Sequence, residues 1–307
     1  MSDGISPAKE MTLKVDLIVV SADWPAAAKM SFSMGGATAH QLCRHCDADG
    51  RIGNPRAPYS FLSGICSSAN HCRRHMQGQV RWKLRTMDSV HASIQSVKDV
   101  ANLASQKQML ADCGISLKEY PWYALHPIFW KNTNPTELIP VEALHLEADG
   151  LLREEGYLML YTLHHSKDCP NFNLKKINQC LKEAPSNMWS DGLRPPDIFQ
   201  NRTEGAVGGM PTKGKVLNYT GHEMTKFAVA SVQLFSDLVP AAGHKAWECW
   251  VAHVKYFKLM IQEKFTIFEV LQLDKLVYDH QVLFNQVYPG YAKPKHHQAL
   301  CILLMTF

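Results

Sequence analysis

The sequence predicts a mostly α-helical protein with a small β component, a zinc-binding Cys/His insert and a C-terminal helical bundle. Three observations carry this. Large apolar residues recur at helical spacing through the C-terminal third. Residues 31–85 have little periodicity and many Gly, Ser, Asn, Cys and His, so they lack an apolar core and need another source of order. One short run, Val15–Ser21, reads as a buried strand.

Hydrophobic residues make up 46% of the 307 residues and charged residues 20%, a composition of globular proteins and not of disordered tails. The length suits one large domain or two ordinary ones. No apolar run reaches the roughly 18 residues of a membrane span. The run Leu17–Val20 is too short, and too closely flanked by Asp16 and Asp23, for a secretory leader. Nine cysteines without such a leader argue against a disulfide framework and leave thiols for metal. The formal net charge of +4 is mildly basic, so bulk charge says little about nucleic acid. The sequence carries no phosphate-binding glycine loop, nucleophile elbow or zinc-protease helix.

Along the chain, residues 1–14 read as a polar tail. Asp23 falls just past the strand, and Pro25 is placed to open a short helix. After the Cys/His stretch, the spacing of Val90, Ile94, Val97, Ala101, Ala104 and Leu110 predicts a helix from Ser89 to Cys113, with Gly114 as its stop. Residues 114–140, with four prolines and several aromatics, read as a packed loop. A second helix is expected from Val141 to His165 and a short one from Asn173 to Lys182, followed by a Gly/Pro-rich linker. Met224, Phe227, Ser231, Phe235 and Leu238 then repeat at helical spacing up to Pro240, as do Trp247, Trp250, Val254, Phe257 and Ile261. Thr266 with Glu269 matches a capping box and starts a third helix, whose apolar stripe is Val270, Leu273, Val277, Leu283, Phe284 and Val287. Short connections predict an antiparallel bundle of the three.

Cys43 and Cys46 form a C-x-x-C pair, and Cys72 and His75 a C-x-x-H pair. A two-residue gap lets one tight turn present two ligands, so the two pairs make one closed, structural, tetrahedral Cys3His site for Zn2+. Cys66 and His71 are alternate ligands. Coordination requires deprotonated cysteines, so binding weakens in acid. The other reading is a cluster of buried thiols without metal.

Asp23, at a strand end, is placed to project into a cleft and bind Mg2+ through oxygen, as two-metal phosphodiester chemistry requires; a helix-cap or turn role is the alternative. Glu142, His145, Glu147 and Asp149 form a second acidic cluster at a helix start, where the helix dipole alone also favours acids. Arg73, Arg74, Arg81, Lys83 and Arg85 crowd together with no acid between them, either as a solvated face or as a phosphate-contacting patch. The pairs His164-His165 and His296-His297 read as surface residues.

Ser21-Ala22-Asp23-Trp24-Pro25-Ala26-Ala27 followed by the C-x-x-C at 43–46 resembles the D-x-P-A … C-x-x-C block of the Kyakuja-Dileera-Zisupton (KDZ) transposases and the related CACTA (En/Spm-like) transposases. Arg85-Thr86 followed by His91 is similar to their Arg-Thr … His element, and Gly114-Ile115 to their Gly-Ile before an aromatic loop. Leu144-His145-Leu146-Glu147-Ala148-Asp149-Gly150 looks like the M-H-x-E-L-E-G motif. Trp250-Val251-Ala252-His253 and Leu273-Asp274-Lys275-Leu276 fit the helical region, and Pro294-Lys295-His296-His297 is similar to P-K-H-H. The matches run in order from about residue 16 to 297.

The resemblance implies a DDE-type transposase on an RNase H-like α/β core, cutting and rejoining DNA with acidic residues and two Mg2+. Asp23 then stands for the second carboxylate, and Glu147 or Asp149 for the third, Asp149 being shorter than the family's Glu; a competing assignment puts the third beyond Phe307. The first catalytic Asp belongs on an earlier strand, yet almost nothing precedes Val15, and Asp16 shares the strand of Asp23. After His297 the sequence leaves the family pattern. The expectation is an incomplete core: a truncated strand region at 1–30, the zinc insert at 31–85, a helical region with the acidic motif at 86–168, a linker at 169–221, the bundle at 222–298 and a divergent tail at 299–307. Such a chain is an inactive transposase remnant; the alternative is a non-enzymatic, zinc-dependent DNA-binding or domesticated interaction module. Expected associations are structural Zn2+, Mg2+ if the core is complete, DNA, and room for a homo-oligomer. The expected location is nuclear or otherwise cytoplasmic, with no secretion and no membrane.

Overall fold

A computed structural model describes residues 86–98, 100–115, 144–189, 191–198, 217, 219–240, 243–289, 291, 295, 296 and 299. The described part is mostly helical and contains no strand. The expected strand at 15–21, the Cys/His insert and the aromatic loop lie outside the described residues.

Helices α1 (Met87–Lys98) and α2 (Leu103–Asp112) occupy the span where the spacing predicts one helix. The break has a local cause. The Asn102 side chain accepts hydrogen bonds from the backbone N–H of Ala104 (2.8 Å) and Ser105 (3.4 Å), so Asn102 starts a new helix instead of continuing the old one. The expected stop at Gly114 is present. Gly114 has φ 67°, and the N–H groups of Gly114 and Ile115 bond back to the carbonyls of Ala111 and Leu110.

The predicted second helix has two parts. Leu144–Leu151 is a wide, π-type helix that runs straight into α3 (Leu152–His165). After α3 come α4 (Leu174–Glu183, capped by Asn173), α5 (Gly221–Phe235), α6 (Lys245–Met260) and α7 (Ile267–Val287). The expected capping box at Thr266 and Glu269 is formed in full, and Thr220 with Glu223 forms a second one at the start of α5.

These elements share one apolar core. Trp250, Tyr157, Phe227, Phe235, Phe257 and Phe284 are fully buried there. Helix α6 is central: it packs along α7, which returns from it after six residues, and also against α3 and α5. Gly156 lets α3 come close to its neighbours. A Cβ there would sit 2.9 Å from Leu217 Cδ1 and 3.4 Å from both Met224 Cε and Trp250 Cη2. Part of the expected linker joins this core, because Trp189 and Ile198 are buried and Asn178 bonds both the N–H and the carbonyl of Ile198.

One charged contact pins that segment. Lys226 of α5, itself nearly buried, donates to both carboxylate oxygens of Asp191 and to the Leu193 carbonyl (3.1 Å). The Lys226 hydrogen bond, with help from the Leu193 N–H and His222, holds the Asp191 carboxyl well below the usual range. A depressed acid contributes stability above its unfolded pKa of about 3.9 and loses it as pH falls through the folded value. Lys226→Met is therefore expected to lower the melting temperature at pH 7, and the gap from the native chain should narrow as the pH falls below about 3.9. A gap that persists unchanged in acid would show that the lysine acts by packing alone.

Candidate metal centre

Four titratable side chains meet inside the bundle. Glu147 comes from the π-type helix, Glu155 from α3, His253 from α6 and His280 from α7. Their exposure is 0% for Glu147, His253 and His280 and 1% for Glu155. Each sits on the apolar face of its element. Glu155 lies one turn from Leu151 and from Met159, His253 one turn from Cys249 and Phe257, and His280 on the stripe of Leu273, Val277 and Phe284. Folding the apolar faces together therefore carries these polar groups inward.

The Glu155 Oε2 oxygen faces both rings, at 2.6 Å from His253 Nδ1 and 2.7 Å from His280 Nε2. His253 Nε2 reaches Glu147 Oε2 at 2.8 Å, and the Tyr256 hydroxyl donates to the Glu147 carboxylate at 3.0 Å. The His253 ring stacks on Tyr256, with centroids 4.7 Å apart, and lies 4.5 Å from the His280 ring. Among the described residues, no lysine or arginine pairs with either carboxylate.

The electrostatics follow from burial and close opposite charge. Burial alone would lift the Glu155 carboxyl, but His280 and His253 beside it drive it far below the ordinary range. Burial would lower His253, yet Glu155 and Glu147 on its two nitrogens raise it to about 9. His280 is lowered, by burial first and by the charge on His253, against the pull of Glu155. Burial and then Glu155 keep the nearby Cys249 thiol protonated. The ligand atoms of Glu155, His253 and His280 all lie within 4.8 Å of one another, so this group can hold a metal ion.

Of the acids singled out in the sequence, Glu147 is in this centre and Asp149 is not. Asp149 is half-exposed, with its carboxylate 4.0 Å from Arg153 Nη1. Asp23, the zinc ligands Cys43, Cys46, Cys72 and His75, the alternates Cys66 and His71, and the basic residues Arg73, Arg74, Arg81, Lys83 and Arg85 all lie outside the described residues. His165 is exposed, as expected of a surface residue, but His296 is not: it is buried, with its ring 4.3 Å from that of Phe284. Sequence reading did not single out Glu155 or His280, although both interrupt apolar stripes. No helix among the described residues is long and apolar enough to cross a membrane. Comparison with family models, with curated proteins and with solved structures finds no match.

Proposed function

We propose that the chain is a transposase-derived protein of the KDZ/CACTA kind that handles DNA through a retained helical framework and does not cut it. One observation carries this reading. Two of the blocks that resemble the family, far apart in sequence, each contact a third, Leu144–Gly150. Glu147 of the Leu144–Gly150 block is bonded by His253 of the Trp250–His253 block, 106 residues on. Lys295 of the Pro294–His297 block donates to the His145 carbonyl at 2.8 Å, across 150 residues. Its side chain also packs on Gly150, where a Cβ would come within 2.6 Å of Lys295 Nζ.

The same packing argues against catalysis by Glu147. A fully buried carboxylate held by His253 and Tyr256 offers no open face to a hydrated Mg2+ and a phosphodiester. Asp149 has solvent access, and among the described residues it belongs to no group of three or more His, Cys, Asp or Glu side chains that could hold a metal. In this reading the basic run Arg73–Arg85 contacts phosphates, Cys43, Cys46, Cys72 and His75 hold a structural Zn2+, and the protein acts where DNA is, in the nucleus.

The test uses the full chain with duplex DNA. Affinity should fall steeply with salt, with a log–log slope approaching about −4.5 if each of the five basic side chains neutralises one phosphate. Supercoiled plasmid should stay intact in Mg2+ or Mn2+. Salt-independent binding, or none, contradicts the DNA-handling role. Metal-dependent nicking that Asp23→Asn abolishes contradicts the loss of catalysis.

A further inference from the structure

We propose that Glu155, His253 and His280 bind one Zn2+ that ties α3, α6 and α7 together. The site is independent of the Cys/His insert and of any descent from a transposase. Its ligands come from three helices and are separated by 98 and 125 residues along the chain, so a metal here cross-links the bundle where the core is deepest.

Donor chemistry selects the ion. Two imidazole nitrogens with one carboxylate suit zinc and its first-row neighbours, whereas Mg2+ and Ca2+ take oxygen ligands. His253 Nδ1 and His280 Nε2 converge on Glu155 Oε2, which gives zinc three protein donors, and Glu155 Oε1 is a buried polar atom without a hydrogen-bond partner. The surroundings have the form expected around a metal-bound histidine. The far nitrogen of His253 points at the Glu147 carboxylate, which Tyr256 in turn holds, and such a carboxylate fixes the tautomer and orientation of a ligand ring.

The 2.6 and 2.7 Å contacts open to about 3.3 Å, the ligand spacing of a tetrahedral zinc, through side-chain rotation of Glu155.

The experiment uses the full-length chain with Cys43→Ser, Cys46→Ser and Cys72→Ser, which removes the three cysteines of the Cys3His set. Co2+ and Zn2+ are the probes. This chain should bind one equivalent of Co2+ with the visible absorption of a tetrahedral site, and Zn2+ should displace it. A chelator should lower its melting temperature by about 5–10 °C. Adding His280→Gln should abolish the band. Because that variant loses a core side chain, Glu147→Gln is the companion: it keeps every ligand, and affinity should fall about 10–100-fold. A folded triple-Ser chain that takes up no Co2+ or Zn2+ and melts identically with chelator overturns the site, as does a band indifferent to both His280→Gln and Glu147→Gln.

Discussion

A Glu155→Leu chain is expected to lose about 3–5 kcal/mol of stability in urea unfolding. The leucine fills most of the volume, so the loss comes from what it leaves behind. Glu155 faces His253 and His280 at 2.6 and 2.7 Å, and nothing else among the described residues neutralises those rings from that side. Breaking one partner out of a buried charged network is far more costly than replacing the whole network by apolar groups, which is often neutral. Changing Glu147, Glu155, His253 and His280 together to apolar residues of similar size should therefore cost less than Glu155→Leu alone when both are compared free of metal. A Glu155→Leu loss below about 1 kcal/mol would mean that the network is not sealed from water.

Trp250→Ala should cost a similar amount, about 3–5 kcal/mol, for a different reason. Trp250 is the largest fully buried side chain among the described residues, and its ring lies 6.1 Å from that of Phe227 and against the position of Gly156. Its Nε1–H donates to Ser231 Oγ at 2.8 Å, while the Ser231 hydroxyl donates to the Ala228 carbonyl. Trp250→Phe keeps most of the volume but loses that donor and part of the ring, so it should cost less, about 1–2 kcal/mol. The difference between the two variants, read from urea midpoints, measures the packing that the phenyl ring retains. Equal losses would contradict the cavity argument.

Local chemistry explains which elements were legible in the sequence. The capping box at Thr266 and Glu269 and the stop at Gly114 depend on residues three to five apart, so the sequence displays them directly. The break at Asn102 is equally local, but apolar spacing across it continues and masks the competing side-chain bond. The metal centre is different in kind. Glu147 and His253 are visible as motif residues, but Glu155 reads as one of two adjacent acids in the middle of the helix expected from Val141 to His165. His280 reads as a single histidine in a long helix. Only the meeting of α3, α6 and α7 makes them neighbours, and no local spacing encodes that meeting. The available signal was the position of each on an apolar stripe, where a charged or imidazole group must find a partner when buried.

The claim that one ion joins three helices is tested most directly by crystals of the chain grown with Zn2+, with diffraction recorded on both sides of the zinc absorption edge. The account predicts an anomalous peak between Glu155, His253 and His280, about 2.0–2.1 Å from His253 Nδ1 and His280 Nε2. A map without that peak, with the Glu155 carboxylate still hydrogen-bonded to both rings, would contradict it.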